Sequence, residues 1–283
     1  MSALTARTRV FTILGNPVEH SLSPVIQNAA FQEAQVDGVY VALRCDAEQM
    51  VGFMSGLGRS GGAGNVTLPH KEKAASVLDK PLEAVRRTGA CNTFWGESGK
   101  LCGDNTDVEG FRRAQRHFLG GAATGYRVLL LGAGGAARAA LVSLIDDEVQ
   151  DVLILNRTVE RARAVARRIG GDRVRVAESH SDVDDGEFDL IVNTTRLGLH
   201  SNDELPFDLE RLSRADAVMD LVYGPSATAF VAASKRLGIP AVDGGEMLVH
   251  QGAAAFERWW GEEAPIDAMR QALEAARSSQ AGA

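Results

Sequence analysis

Short apolar runs and longer amphipathic stretches alternate along the first part of the chain. The apolar runs are typical of strands, and the stretches that repeat apolar residues every three or four positions are typical of helices. The pattern predicts strands at 10–14, 39–43 and 92–95 and helices at 24–35, 47–57 and 108–118. This β-α-β order favours an α/β fold.

The same alternation is stronger in the second part of the chain. It predicts strands at 127–131, 152–155, 174–176, 190–192 and 218–222, followed by helices at 247–260 and 266–277. We expect the polar tail at 278–283 to fray. Two successive series of strands and helices predict a protein with two lobes.

The composition agrees with two compact lobes, because 283 residues with 45% hydrophobic and 24% charged side chains can bury sizeable cores. A net charge of −7 argues against a nucleic-acid partner, since such binding needs a basic surface. Cys45, Cys91 and Cys102 form no CxxC pair, so neither a disulfide framework nor a metal site is expected. No apolar stretch reaches membrane-spanning length. We therefore expect a soluble, cytoplasmic protein.

A glycine-rich turn in the segment RVLLLGAGGAARAALVSLI connects a predicted strand to a predicted helix. Glycines let the backbone approach a pyrophosphate, whose charge is met by free N–H groups and by the positive end of the helix dipole. The alternative is a tight strand–helix junction that binds nothing, but the order of strand, glycines and helix favours a dinucleotide. The candidate cofactor-binding residues of this turn are Gly132, Ala133, Gly134, Gly135 and Ala136.

The end of the next predicted strand indicates which dinucleotide binds. NAD-binding domains place a carboxylate there for the ribose hydroxyls, whereas this strand ends in Asn156, Arg157 and Thr158. Arg161 follows Arg157 by four positions, and two guanidinium groups on one helical face would suit the extra phosphate of NADP. We therefore predict NADP as the cofactor, with these four residues in its site. Other arginines nearby, including Arg163, are expected to form a solvated helix face.

Four polar clusters, GNPVEHSLSP, GNVTLPHK, ACNTFW and GDNTD, lie at strand ends in the first part of the chain. Ligands of open α/β sheets bind beyond the carboxyl ends of strands, so we expect these loops to converge on one cleft. Each cluster also has a local explanation. Ser23 before Pro24 is a good helix N-cap, and Thr106 to Glu109 fits a capping box.

Taken together, the motifs resemble those of the shikimate and quinate dehydrogenase family. The matching segments are GNPVEHSLSP, NVTLPHK, the NT of ACNTFW, GDNTD, GAGGAAR, NRT, DLVYGP and MLVHQGAAAFERW, in the family's order from residue 15 to residue 260. The resemblance implies a two-lobed α/β fold with an N-terminal α/β substrate domain and a Rossmann-type dinucleotide-binding domain. The substrate domain is expected at 1–107 and 244–283, and the NADP-binding domain at 108–243.

The same resemblance implies an oxidoreductase that reversibly reduces 3-dehydroshikimate to shikimate with NADPH, in the synthesis of aromatic amino acid precursors. Lys71 and Asp107 match the catalytic pair of the family. Because negative charge grows on the carbonyl oxygen as hydride reaches the carbon, a proton donor beside that oxygen is needed, and a lysine paired with an aspartate suits the task. Thr194 and Gly245 match further cofactor-binding positions. The substrate-binding residues that the resemblance implies are Ser21, Ser23, Asn65, Thr67, Asn92, Tyr223 and Gln251.

Several positions depart from the family's usual residues. Gln27 stands in place of a histidine, Cys91 in place of an aliphatic residue and Arg196 in place of a proline. Ser23, where a quinate-preferring site tends to carry threonine, favours shikimate as the substrate.

Three alternatives to a shikimate dehydrogenase stay open. A quinate or aminoshikimate dehydrogenase and a broad-specificity homologue fit the same motifs, since a methyl-sized change in a pocket is worth only about 1–3 kcal/mol. A non-catalytic ligand sensor also fits the fold, although such a protein would be expected to lose Lys71 or Asp107. The sequence is compatible with a monomer and with a homodimer.

Overall fold

The computed structural model of the protein describes residues 4–200 and 202–281. These residues form two compact units. Unit 1 consists of the chain up to Gly110 together with Leu248–Ser279, and unit 2 consists of Phe111–Met247 with Gln280 and Ala281. Unit 1 therefore takes its residues from both ends of the sequence, and unit 2 is inserted between them in chain order.

A six-stranded mixed sheet forms the centre of unit 1. Its strands are β1 (Arg9–Gly15), β2 (Gly38–Arg44), β3 (Ala63–Val66), β4 (Lys80–Pro81), β5 (Thr93–Glu97) and β6 (Lys100–Asp104). Their order is β2-β1-β3-β5-β6-β4, and β5 runs antiparallel to both of its neighbours, whereas the other pairs are parallel. The predicted strands that correspond to β1 and β2 are confirmed, and β5 begins one residue later than predicted.

Unit 2 is built on a six-stranded parallel sheet with a separate two-stranded ladder. Its strands are β7 (Arg127–Leu131), β8 (Asp151–Leu155), β9 (Val174–Val176), β10 (Glu187–Phe188), β11 (Leu190–Asn193), β12 (Arg214–Ala215), β13 (Val218–Asp220) and β14 (Ala241–Val242). The large sheet has the order β14-β13-β11-β7-β8-β9, and β10 pairs with β12. After β7, the chain adds β8 and β9 on one side of that strand. It then adds β11, β13 and β14 on the other side, so the strand order reverses between β7 and β11. Crevices at such a reversal are the usual ligand sites of open α/β sheets.

The strands of unit 2 are hydrophobic on both faces, as expected for a parallel sheet covered on both sides. In β7, Val128 and Leu130 belong to one core cluster, and Leu129 and Leu131 belong to the other. All four side chains are buried. This continuous apolar run explains why the sequence predicted the bounds of β7 correctly.

Helices accompany both sheets. They are α1 (Ser23–Glu33), α2 (Ala47–Arg59), α3 (Lys71–Ala75), α4 (Glu83–Thr88), α5 (Thr106–Leu119), α6 (Gly135–Asp146), α7 (Val159–Val165), α8 (Ala229–Arg236), α9 (Gly245–Trp260) and α10 (Ile266–Ala281). Unit 1 contains α1 to α4 and most of α10, unit 2 contains α6 to α8, and the division between the units falls within α5 and within α9. Across residues 4–200 and 202–281, every helix is too short or too polar to cross a membrane.

The C-terminal tail differs from the prediction. Helix α10 continues to Ala281, so the fraying expected for 278–283 is wrong for residues 278–281, and the last two residues lie outside the described part of the chain. The side chain of Ser278 donates a hydrogen bond to the Glu274 carbonyl oxygen one turn earlier. The hydroxyl of Ser278 is therefore satisfied within the helix.

Candidate active site

The predicted catalytic residues meet in unit 1. Lys71 is the first residue of α3, and its Nζ atom lies 2.6 Å from Oδ2 of Asp107, the second residue of α5. Their side chains are 19% and 8% exposed. A pair this close and this shielded from water interacts far more strongly than a surface ion pair.

Two further contacts hold Asp107 in place. Its backbone N–H donates to the side-chain oxygen of Asn105, and its Oδ1 accepts a 2.9 Å hydrogen bond from Nδ2 of Asn92. The predicted capping box is therefore wrong: α5 begins at Thr106, so Thr106 is the first helical residue, and the side chain of Asn105 caps the helix. The corrected register leaves Asp107 in the first turn, where the helix dipole favours a negative charge.

Asn92 is buried and its amide group is fully engaged with neighbouring residues. Nδ2 donates to Oγ1 of Thr106 at 3.0 Å and to Asp107, while Oδ1 accepts from the backbone N–H of Thr106 at 2.7 Å. The side chain therefore joins the end of one strand loop to the start of α5. Any substrate contact by Asn92 would have to share a hydrogen that already serves one of these bonds.

Asn65 lies in β3 and continues the same network. Its Nδ2 donates to the carbonyl oxygen of Asn92 at 3.0 Å, and its Oδ1 accepts a 2.7 Å hydrogen bond from the hydroxyl of Tyr40. Burial raises the pKa of the Tyr40 phenol well above its usual range. The sequence did not single out Tyr40, because an aromatic residue within a predicted strand is usually part of the core.

The predicted carboxylate-binding serines lie at the start of α1. Oγ of Ser21 accepts the backbone N–H of Ser23 at 3.2 Å. Helix α1 begins at Ser23 with Leu22 at the N-cap position, so the prediction that Ser23 caps the helix is wrong, and it is the Ser21 hydroxyl that meets a backbone donor. Both serines are therefore held in one tight turn at the helix N-terminus, a location that favours an anion.

Thr67 and Gln251 complete the predicted set in unit 1. Thr67 follows β3, and its methyl group lies where a side chain on Gly15, at the end of β1, would have to be. Gln251 lies on α9, whose backbone approaches Gly110 on α5 so closely that a Cβ on Gly110 would come 2.6 Å from the Cβ of Gln251. Gln251 therefore packs against α5 at Gly110, which lies about one helical turn after Asp107.

Two departures from the family pattern lie close to this network. Cys91 precedes Asn92, and its backbone N–H donates to the carbonyl oxygen of Lys71. Burial raises the pKa of the Cys91 thiol to about 12, which leaves it an uncharged, unreactive packing group. Gln27 is buried on α1 and donates from Nε2 to the carbonyl oxygen of Gly252 on α9 at 2.8 Å. It therefore joins the two helices that carry Ser23 and Gln251.

Chemically, this arrangement offers a cation and a hydrogen-bond acceptor side by side in a sheltered place. The ammonium of Lys71 can donate to an oxygen on which negative charge develops, and Asp107 can accept a hydroxyl hydrogen. Asn65 and Asn92 add polar groups within the same network. Such a set suits reduction of a carbonyl group on a polyhydroxylated substrate.

The glycine-rich turn lies at the carboxyl end of β7 in unit 2. Gly132 has φ of +109°, a conformation that favours glycine. Gly134 is the N-cap of the 12-residue helix α6, and the first turn of that helix has neither a side-chain cap nor an acidic residue. A Cβ added to Gly134 or Gly135 would meet no atom within 4 Å, whereas one on Gly132 would approach Oγ1 of Thr194 at 2.5 Å.

The predicted cofactor residues after β8 and β11 lie beside this turn. The N–H of Gly132 donates to the carbonyl oxygen of Leu155, the residue before Asn156, and Oγ1 of Thr194 donates to the carbonyl oxygen of Leu131. The side chain of Asn156 donates to the carbonyl oxygen of Thr158, which caps α7. Residues from three adjacent strand ends therefore meet at the point where the strand order reverses.

The arginines after β8 are placed differently from the sequence prediction. Helix α7 begins at Val159, so Arg157 lies in the preceding turn and Arg161 lies in the helix, and the predicted common helical face is wrong. Both side chains are exposed. Arg163, by contrast, donates to both carboxylate oxygens of Glu178 at 2.6 and 2.7 Å. In the part of the chain that the structure describes, neither Arg157 nor Arg161 has such a carboxylate partner.

Tyr223 and Gly245 follow β13 and begin α9, respectively. Burial raises the pKa of the Tyr223 phenol. The loop that carries Tyr223 starts from Asp220, a buried carboxylate that accepts hydrogen bonds from the hydroxyl of Thr228, the N–H of Val222 and Nδ2 of Asn193. The N–H of Gly245 donates to the side chain of Asp243 at 3.0 Å.

These features of unit 2 fit a dinucleotide phosphate. The uncapped N–H groups of α6 can receive a pyrophosphate, and the open space around Gly134 and Gly135 permits the close approach that a side chain would block. Arg157 and Arg161 supply positive charge beyond the end of β8, where no carboxylate competes for it in the segment from Asn156 to Thr158. NADP(H), when bound, supplies or accepts a hydride.

Models of shikimate dehydrogenase domains match three segments of the chain. Residues 13–94 match the shikimate dehydrogenase substrate binding domain, residues 113–196 match the shikimate/quinate 5-dehydrogenase model, and residues 244–274 match the shikimate 5'-dehydrogenase C-terminal domain. The shikimate dehydrogenase (NADP(+)) of Methanopyrus kandleri is 38% identical over 280 residues, which cover 96% of this chain and 97% of the relative. That of Geobacter metallireducens is 39% identical over 281 residues, covering 96% and 98%.

A solved structure supports the same relationship at the level of the fold. The shikimate 5-dehydrogenase of Thermus thermophilus, in complex with NADP(H) and shikimate, superposes with a TM-score of 0.86 at 35% identity, covering 95% of this chain and 100% of that one. Both the fold and the order of the motifs are therefore shared over nearly the full length. The chain belongs to the shikimate dehydrogenase family.

Proposed function

We propose that this protein catalyses the reversible, NADPH-dependent reduction of 3-dehydroshikimate to shikimate, in the synthesis of aromatic amino acid precursors. The observation that carries the proposal is the shielded 2.6 Å pair of Lys71 and Asp107 in a chain of this family. Relatives named for NADP-dependent shikimate dehydrogenase activity, aligned over nearly the whole chain, support the same reaction. A protein that only sensed the ligand would have no need of the pair.

In this proposal, Lys71 and Asp107 act on the oxygen that changes between ketone and alcohol. During reduction, the ammonium of Lys71 stabilises the negative charge on that oxygen and lies in position to protonate it. Asp107 keeps the ammonium in place and accepts a hydrogen bond from a neighbouring hydroxyl of the substrate. Asn92 holds the second carboxylate oxygen of Asp107, so the carboxylate cannot rotate away from the lysine.

The remaining predicted residues of unit 1 are assigned to recognition of the substrate. Ser21 and Ser23, in the first turn of α1, bind the carboxylate, and the other polar side chains bind the ring hydroxyls. Tyr223 is assigned to the substrate as well. The ring-binding set consists of Asn65, Thr67, Asn92 and Gln251.

The NADP site is assigned to unit 2. Gly132, Ala133, Gly134, Gly135 and Ala136 receive the pyrophosphate. The remaining assigned residues, which contact the adenosine phosphate or the rest of the cofactor, are Asn156, Arg157, Thr158, Arg161, Thr194 and Gly245. We assign residues 1–107 with 244–283 as the substrate-binding domain and residues 108–243 as the NADP-binding domain.

The substrate assignment is tested by initial rates with shikimate, quinate and an aminoshikimate, each with NADP and with NAD. We expect the highest kcat/KM with shikimate and NADP. A preference for another acid would keep the reaction class and replace the substrate. Absence of turnover with every pair, together with measurable binding, would reject the enzyme in favour of a sensor.

The catalytic assignment is tested by Lys71→Met with Lys73→Met as its matched control. Lys73 is exposed on the same short helix, so its removal should leave kcat within about twofold. Lys71→Met should lower kcat at least about 100-fold, as is typical when a positioned acid is lost, while NADP binding is retained. Nearly unchanged turnover in Lys71→Met would remove Lys71 from the mechanism.

The cofactor assignment is tested by Arg157→Ala and Arg161→Ala against Arg163→Ala. The first two should raise KM for NADP at least about fivefold and leave KM for NAD little changed, because a charge-assisted bond to phosphate is lost. Arg163→Ala removes only the exposed pair with Glu178 and should leave both KM values unchanged. Equal effects on NADP and NAD would show that the arginines do not select the phosphate.

A further inference from the structure

Tyr40 and Asn65 come from strands that are not neighbours. Strand β1 lies between β2 and β3, with Phe11 in register with Tyr40 and Ile13 in register with Asn65. Side chains two residues apart on a strand point to the same face, so Tyr40 and Asn65 lie on the same face of the sheet. The phenol reaches diagonally across β1 to bond the amide at 2.7 Å.

The two bonds of Asn65 determine which way its amide faces. The carbonyl oxygen of Asn92 can only accept, so the nitrogen of the Asn65 amide must face it. The amide oxygen is then turned to the hydroxyl of Tyr40, which donates to it. One hydrogen of Nδ2 is left, and it bonds no protein acceptor in the described parts of the chain.

We propose that Tyr40 is a positioning residue that, together with the carbonyl oxygen of Asn92, locks the amide of Asn65 so that it presents an N–H group, and not a carbonyl oxygen, to a ring oxygen of the substrate. The inference rests on the proposed function. It adds that, in one contact with the ring, the protein is the hydrogen-bond donor and the substrate is the acceptor. A locked donor selects a substrate that offers an acceptor oxygen there. An analogue without that oxygen leaves the donor unpaired, which is what makes such sites discriminating.

The surroundings of Tyr40 suit this task. Its side chain is 1% exposed, and burial keeps the phenol protonated, so it remains a donor throughout the working pH range. Its ring packs edge-on against Phe31 and tilted against Trp259, with centroids 6.5 and 6.1 Å apart. The ring is therefore held by packing that does not depend on the hydroxyl, and Tyr40→Phe should keep the fold while it removes the one bond to Asn65.

The test compares Tyr40→Phe with the wild-type protein on shikimate and on analogues that each lack one ring hydroxyl. Asn65→Ala first identifies the reporter analogue, whose kcat/KM this substitution leaves unchanged. We expect Tyr40→Phe to lower kcat/KM for shikimate about tenfold, mainly through KM, as for the loss of one buried hydrogen bond. The same substitution should change kcat/KM for the reporter analogue, and KM for NADP, by less than about twofold.

A double-mutant cycle separates positioning from general damage. In the Asn65→Ala background, Tyr40→Phe should change kcat/KM for shikimate by less than about twofold, because the amide it positions is gone. Thr12→Val is the matched control, since it removes another buried hydroxyl, on β1, that has no hydrogen bond to either residue. It should leave the preference for shikimate over the analogues unchanged.

Three results would overturn the inference: an unchanged kcat/KM in Tyr40→Phe, an equal loss on every analogue, or a loss that persists in the Asn65→Ala background. Failure of the proposed function is seen separately, in the wild-type protein, as absence of turnover with shikimate. If the wild-type protein prefers another ring acid, the same cycle with that acid tests the Tyr40–Asn65 coupling.

Discussion

Two threonines in the sheet of unit 1 show how much a buried hydroxyl depends on its partners. Both Thr12 and Thr93 are 0% exposed. The hydroxyl of Thr93 accepts from the indole N–H of Trp259 at 3.1 Å and donates to the carbonyl oxygen of Gly64 at 3.2 Å. The hydroxyl of Thr12 has no hydrogen-bond partner in the described structure.

We expect Thr12→Val to raise the free energy of unfolding by about 1 kcal/mol, because an unsatisfied buried hydroxyl is replaced by a methyl group of similar size. Thr93→Val should lower it by about 1–3 kcal/mol, since the indole N–H is left unpaired. Urea unfolding of the two variants measures both changes. Equal changes of the same sign would show that the hydroxyl of Thr12 does have a partner.

At the residue scale, the sequence could identify chemistry but not contacts. Lys71 and Asp107 lie in separate polar clusters, and the resemblance paired them correctly. The partners that orient Asn92 and Asn65, namely Thr106 and Tyr40, could not be predicted. A threonine at a helix start suggests a cap and a tyrosine in a strand suggests core, because only the three-dimensional fold decides which distant group each hydroxyl meets.

Helix α2 and strand β5 pack with an unusually close backbone approach. A Cβ added to Gly96 on β5 would overlap the carbonyl oxygen of Gly58, which lies in α2. By contrast, Gly52 and Gly56 are exposed on α2, and a Cβ on either would meet no atom within 4 Å. The same helix therefore contains one glycine at a close approach and two that no neighbour requires.

We expect Gly96→Ala to lower the free energy of unfolding by at least about 2 kcal/mol, because the helix must move away from the strand. Gly52→Ala and Gly56→Ala should each raise it by about 0.5–1 kcal/mol, since alanine is the better helix former. Denaturant unfolding of the three variants gives the comparison. A stable Gly96→Ala protein would mean that α2 can shift on the sheet without cost.

Strands made of continuous apolar residues were predicted well, whereas short strands that contain polar residues were not. β7 was predicted with its observed bounds, whereas β3 and β6 were missed, because AGNV and KLCGD contain glycine and polar residues where a buried strand normally carries branched side chains. Their hydrogen bonds to neighbouring strands hold them in the sheet regardless. The arginine pair near α7 was misplaced for a related reason: spacing alone does not reveal where a helix begins.

The buried carboxylate of Asp220 connects the ends of β11 and β13 through its bonds to Asn193 and Val222. Burial is the largest effect on its pKa and raises it above the usual value. The folded protein therefore holds this proton more tightly than the unfolded chain does. The resulting stabilisation is complete below the unfolded pKa of about 3.9 and is lost as the pH rises through the folded pKa.

The expected signature is a difference between the wild-type protein and Asp220→Asn that depends on pH. The wild-type free energy of unfolding, relative to the variant, should fall as the pH rises from about 4 and level off above the folded pKa. A constant offset from altered hydrogen bonds does not affect this slope. Urea unfolding at intervals from about pH 4 to about pH 8 measures it, and a difference that rises with pH would contradict the raised pKa.

At the scale of the whole molecule, the two-lobed α/β fold was predictable because two kinds of signal agree. Apolar runs alternating with amphipathic stretches indicate parallel strands and helices, and the motifs occur in one family's order along the chain. The close agreement of the fold with the Thermus thermophilus structure follows from the same pattern. The residues at which the chain passes from one unit to the other are harder to predict from sequence. They lie within α5 and α9, where a continuous helix shows no break in the sequence pattern.

The three cysteines give a test of how tightly unit 1 closes around its core, and the test needs no ligand. Cys45, Cys91 and Cys102 are at most 2% exposed, and burial raises the pKa of each thiol, that of Cys91 to about 12. A thiol attacks a disulfide reagent only as an accessible thiolate, so the native protein at about pH 8 should release almost no thionitrobenzoate from Ellman's reagent on the time scale of a free cysteine. In urea, all three should react. If one thiol of the native protein reacts fast, at least one of these cysteines becomes exposed without global unfolding. Substituting each cysteine in turn by serine would identify the reactive one and so locate the part of unit 1 that opens.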